Sequence, residues 1–132
     1  MLNKVQLIGN LGTDVKMHYF DNGDCVGNAS LATSESWKNK QGEKQTATEW
    51  HSLIFRNKQA ETAQKYLTKG KKIFVEGKIK KRKYQDTNGN ERYTTEIHVF
   101  QFLFLDSLGT NEQQRAETTH EPIGDGDGDL PF

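Results

Sequence analysis

Between Lys71 and Asp86 the chain reads KKIFVEGKIKKRKYQD, and no other stretch constrains the fold as much. A β-strand sends successive side chains to opposite faces. Sorted by parity, Ile73, Val75, Gly77 and Ile79 share one face, suited to the interior of a barrel. Lys72, Phe74, Lys78, Lys80, Arg82 and Tyr84 share the other, opposed only by Glu76. One side is core and the other is cationic with rings.

Period-two alternation recurs in Val5, Leu7, Gly9 and Leu11, and again through Gly27, Ala29, Leu31 and Thr33. Turn chemistry separates these runs: Asp21-Asn22-Gly23-Asp24, Gly42 within NKQGEK, and Asn88-Gly89-Asn90 all supply residues that tolerate positive φ. One segment breaks the strand pattern. Asn57 is a candidate cap for a helix whose inner face is Ala60, Ala63, Tyr66 and Leu67, and Gly70 suits the residue just past its end. The expected order is strand 2–11, a second strand unit 16–36, strand 48–56, helix 58–68, strand 71–83 and strand 92–105. A single helix between strands 3 and 4 is the order of an all-β, five-stranded Greek-key barrel, the OB-fold. At 132 residues the chain holds one domain of ordinary size plus appendages.

The formal charge of zero conceals an asymmetry. Residues 1–106 carry 17 Lys and Arg against 12 Asp and Glu, or +5; residues 107–132 carry Arg115 against six acids, or −5. Residues 107–124 are polar and without periodicity, so they are expected to form a disordered linker. The chain then ends in an acidic tip at 125–132, with Asp125, Asp127 and Asp129 alternating with Gly before Leu130, Pro131 and Phe132. The expected domain is therefore 1–106.

Several classes are disfavoured. No apolar run approaches the roughly 20 residues needed to span a bilayer, and MLNKVQLIGN alternates instead of forming an apolar signal stretch. The expected setting is the cytoplasm, with no membrane partner. Cys25 is the only cysteine and the four histidines are scattered at 18, 51, 98 and 120, so neither a metal nor another cofactor is expected. Some barrels of this kind are nucleases, but that chemistry needs converging carboxylates with a metal or a general base, and the core segment offers no such cluster. The expectation is a binding protein and not an enzyme.

The basic and aromatic face has a physical use. Lys and Arg attract a phosphate backbone and displace its counterions, while exposed rings stack on bases not already stacked in a duplex, so Lys72, Lys78, Lys80 and Arg82 are candidate phosphate contacts and Phe74 and Tyr84 candidate stacking rings. Trp37 sits in the polar, lysine-flanked loop ESWKNKQGEK with Lys38 and Lys40, where an indole has no obvious core to enter. In TEWHSLIF, parity places His51, Leu53 and Phe55 on one face and Trp50, Ser52, Ile54 and Arg56 on the other. If the first is core, Trp50 and Arg56 point outward together. His51 faces the core or a subunit contact and is assigned no chemistry. The last strand is apolar on both sides, with Phe100, Phe102 and Phe104 opposite Val99, Leu103 and Leu105. It is either bent across both ends of the barrel or part of a subunit interface. Recognition of RNA is the binding alternative.

These segments closely resemble the bacterial single-stranded-DNA-binding proteins, in NKVQLIGNLG, SLATSESW, TEWH, YLTKGKKIFVEGKI, RYTTEI and the terminal DLPF. The resemblance covers residues 1–106 and the last few. It implies an OB-fold, a homotetramer with single-stranded DNA wrapped around it, and roles in replication, recombination and repair. The base-stacking aromatics of the family correspond to Trp37, Trp50 and Tyr84, the last in place of a Trp common in relatives. A further stacking Phe aligns with Arg56, whose guanidinium can stack instead, while the adjacent Phe55 has core parity. Relatives end in consecutive aspartates before a nonpolar Pro-Phe tip. Here the charge and the Leu130-Pro131-Phe132 end are kept, which implies that Phe132 and its carboxylate dock replication, recombination and repair proteins.

Overall fold

The computed structural model of the protein describes residues 1–106. The expected linker at 107–124 and the acidic tip at 125–132 lie outside the described residues. The element order is β1 (Val5–Leu11), β2 (Lys16–Tyr19), β3 (Cys25–Lys38), β4 (Lys44–Arg56), α1 (Asn57–Tyr66), β5 (Lys72–Gln85) and β6 (Glu91–Phe104). Neighbouring strands run β1-β5-β6-β4-β3-β2, and β1 also pairs with β3 through Asn10 with Ala32 and Leu11 with Leu31. That extra pairing closes β1, β3, β4, β6 and β5 into a five-stranded barrel, leaving β2 as a hairpin flap on β3. With β2 and β3 counted as one unit, the helix falls between the third and fourth units, as the sequence order implied.

Three hairpins turn in the same way. Phe20–Asp24, Asn39–Glu43 and Asp86–Asn90 each close with a backbone bond between their end residues, and Gly23, Gly42 and Gly89 sit at φ of 90°, 80° and 79°. This is the hairpin geometry that demands a residue free to adopt positive φ, which is why glycine marks each tip.

The interior is apolar. Leu31, Leu53, Phe55, Ile73 and Val75 are wholly buried, and Phe102 meets Phe55 edge-on with ring centroids 5.5 Å apart. Helix α1 closes one end by burying Ala60 and Ala63, small residues that let its backbone approach β3 and β4. The expected side-chain cap is absent. The Asn57 Oδ1 instead accepts the Cys25 backbone N–H at 3.0 Å, tying the start of β3 to a helix start whose φ is 52°. Tyr66, expected on the inner face, is half-exposed and lies edge-on to Phe104.

A bulge explains the two-sided last strand. Glu76 pairs with Gln101 but Gly77 pairs with Val99, so Phe100 is the extra residue of β6. The inward parity switches there: Ile97 and Val99 face the core before it and Phe102 after it. Gly77 is required at the crossing, because a Cβ there would lie 2.3 Å from the His98 carbonyl oxygen. Beyond it, β5 and β6 run out as a ribbon, so Ile79, expected inside, is 45% exposed.

Candidate nucleic-acid interface

Paired residues in neighbouring strands share a face of the sheet, so the ladders define rows of side chains across the outside of the barrel. Asn28, Ile54, His98 and Lys78 form one row across β3, β4, β6 and β5; Ser30, Ser52, Glu96 and Lys80 form the next. On β4 the same face continues to Trp50, beside Ala32, and to Arg56, beside Val26. On β5 it continues to Arg82, beside Thr94, and to Tyr84, beside Arg92. The barrel thus gathers Trp50, Arg56, Lys78, Lys80, Arg82 and Tyr84 on one four-stranded surface.

The rings on it are accessible. Trp50 is 62% exposed and Tyr84 42%. The indole of Trp50 lies over Gly12, where a Cβ would come within 2.2 Å of the ring. Trp37 is also exposed, with Lys38 and Lys40 at the far end of the β3–β4 ribbon. Its partner is Gln45, which puts it on the ribbon face alternate to that of Trp50. Phe74 is placed apart. It is half-buried between Ile8 and Leu103 on the outside of β1, β5 and β6, and Lys72 pairs with Asn10 on the same side. His51 is half-buried, its ring nitrogen 2.8 Å from the Thr33 hydroxyl.

Two groups on this face escaped sequence inspection. Glu96 is buried amid the cations, and its Oε1 receives Arg82 Nε at 3.4 Å. His98 stands beside it, Nε2 3.6 Å from the same oxygen, with Nδ1 3.4 Å from Arg56 Nη2. One buried carboxylate therefore holds one arginine directly and reaches a second through an imidazole. Burial, followed by the nearby Arg56 charge, depresses the His98 pKa below its ordinary value, against the opposing pull of Glu96. Arg56, Lys78, Lys80, His98 and Phe100 line a recess of about 240 Å³. Further out, Arg92 sits on the Tyr84 face with Nε 3.1 Å from Asp86; backbone N–H of Asn90, then Arg92 itself, keeps the Asp86 pKa low. The signal for Glu96 and His98 was their even parity opposite Lys80 and Lys78, hidden behind the apolar run that follows them.

Among the described residues there is no cluster of three or more His, Cys, Asp or Glu able to hold a metal ion, and no helix long and apolar enough to cross a membrane.

A closed five-stranded barrel whose curved outer surface presents rings and cations together defines a protein of the OB-fold class. Residues 2–105 match the model of the Single-strand binding protein family, and the chain belongs to that family. Similar solved structures include the Plasmodium falciparum SSB in complex with ssDNA, at 33% identity and a TM-score of 0.72, matching 80% of this chain and 97% of that one. A deletion mutant of the single-stranded DNA binding protein from Thermus aquaticus is 26% identical with a TM-score of 0.68, over 82% of this chain and 52% of that one.

Proposed function

We propose that this protein binds and protects single-stranded DNA without reading its sequence, by stacking bases on Trp37, Trp50 and Tyr84 and holding phosphates on Arg56, Lys38, Lys40, Lys78, Lys80 and Arg82. The observation that carries this is the joint exposure of Trp50 and Tyr84 on the surface that also holds four of those cations. Every base has a π-face, so stacking gives affinity without preference, and a duplex, whose bases are already stacked, is excluded. Binding is the whole activity; no bond is made or broken. Titration with oligo-dT, oligo-U and duplex DNA of equal length, followed by tryptophan quenching, tests this. Quenching by oligo-dT that weakens with salt is expected. Equal affinity for the duplex refutes the proposal, and a preference for oligo-U turns it to RNA.

The protein acts as a homotetramer in replication, recombination and repair. Ile8, Phe74 and Leu103 make an apolar row across β1, β5 and β6, with Ile8 and Leu103 each more than half exposed. A second copy is its occupant, and Phe74 serves that contact in place of base stacking. Light scattering should give four subunits, and Leu103→Asp should lower that number. The tip, Asp125, Asp127, Asp129, Leu130, Pro131 and Phe132, docks partner proteins in a basic-rimmed apolar pocket and competes with DNA for the cationic face. Removing residues 125–132 should abolish partner capture while leaving DNA affinity unchanged or raised.

A further inference from the structure

The face proposed to bind DNA contains one feature that phosphate binding does not call for, a buried carboxylate with a histidine wedged between it and an arginine. Their geometry fixes a protonation state. His98 Nδ1 faces the Arg56 guanidinium, which can only donate, so Nδ1 is an acceptor and the proton of the neutral ring is on Nε2. That N–H is buried and points at Glu96 Oε1, yet at 3.6 Å it falls short of a hydrogen bond, and the same oxygen receives Arg82 Nε. This arrangement holds both arginines against protein groups, with a neutral imidazole between them.

A phosphate in the recess lined by Arg56, Lys78 and Lys80 changes each of these terms. Arg56 turns to the phosphate and gives up Nδ1. If Arg82 does the same, Glu96 loses its cation while remaining buried, and an unpaired buried carboxylate is costly. The ring beside it is the group able to replace the charge, by taking a proton from solvent onto Nδ1 and facing Glu96 as an imidazolium. We infer that His98 is a positioning residue of the single-strand groove, which holds Arg56 aside when neutral and releases it by taking up a proton as phosphates bind. This rests on the single-strand-binding proposal above.

The charged and titratable groups around His98 are Arg56 from β4, Lys78, Lys80 and Arg82 from β5, Glu96 on β6, and His18 from β2 in the adjoining recess; Arg56 and Lys80 disfavour the imidazolium and Glu96 favours it. Phosphate offsets the cations and leaves Glu96, so the bound pKa lies above the free one, which is itself below the ordinary 6.5. A group whose pKa rises on binding strengthens binding as pH falls through the bound value, and the gain is complete below the free value. One unit of difference gives about tenfold in affinity.

Calorimetric titration of the full chain with oligo-dT near pH 6.5, in two buffers of different ionisation enthalpy, reads the proton count directly. Net uptake is expected, and its absence overturns the inference. Affinities measured from about pH 8 to about pH 5.5 at fixed ionic strength should rise roughly three- to tenfold for the natural chain. His98→Gln should remove that excess and His18→Gln should keep it. Identical pH profiles for His98→Gln and the natural chain overturn the inference too, while failure of the natural chain to bind oligo-dT at any pH identifies the binding proposal itself as the fault.

Discussion

Replacing Gly12 with Ala should weaken single-strand binding by disturbing a residue it does not resemble. The added Cβ would lie 2.2 Å from Cζ3 of Trp50 and 2.8 Å from the Ser30 hydroxyl. The hydroxyl can rotate, but the indole has to move more than about 1 Å to reach ordinary contact. Because Trp50 is 62% exposed, it can swing outward without disrupting the core. What it loses is its fixed position as a stacking platform, an interaction of about 1–3 kcal/mol per base, or roughly five- to 150-fold in Kd. The assay is anisotropy of labelled oligo-dT across a double-mutant cycle with Trp50→Ala. Gly12→Ala should cost several-fold alone and within about 0.3 kcal/mol of nothing once Trp50 is gone. Equal costs in both backgrounds would show that Gly12 does not act through the indole.

Trp50→Ala should lower oligo-dT affinity by about 1–3 kcal/mol while Trp50→Phe keeps part of it, read by the same anisotropy titration; equal losses would remove stacking from the account. Its effect on thermal stability should stay below about 2 kcal/mol, since the contacting third of the ring hides only roughly 80 Å². Gly77→Ala should cost about 1–3 kcal/mol or more in denaturant unfolding, because its Cβ would meet backbone and not a movable side chain. Combining Lys78→Gln with Lys80→Gln should flatten the dependence of log Kd on log salt by about one unit or more; an unchanged slope would mean that neither touches phosphate.

Local physics made much of this barrel legible. The alternation of Ile73, Val75 and Gly77 against Lys78, Lys80 and Arg82 needs only the pleat of a strand, and Gly23, Gly42 and Gly89 mark turns because few other residues adopt positive φ. What was not legible depends on partners distant in sequence. Asn57 reads as a helix cap, but its side chain is claimed by Cys25, 32 residues away. Ile79 reads as core because nothing local says where the barrel ends and the ribbon begins. The bulge at Phe100 inverts the parity of β6, and a strand apolar on both sides gives no local sign of where its inner face changes. Glu96 and His98 were hidden for a related reason: they share even parity with Lys78 and Lys80, but beside an apolar run nothing local shows which face turns outward until β4 and β5 are laid alongside them.

Ultraviolet cross-linking of the full chain to oligo-dT, followed by peptide mass spectrometry, tests most directly whether the outer surface of β3, β4, β6 and β5 is where the strand lies. Adducts at Trp50 and Tyr84, with Trp37 on the ribbon, are the outcome expected. Adducts confined to the Ile8, Phe74 and Leu103 side of the barrel, with both Trp50 and Tyr84 unmodified, would contradict the assignment.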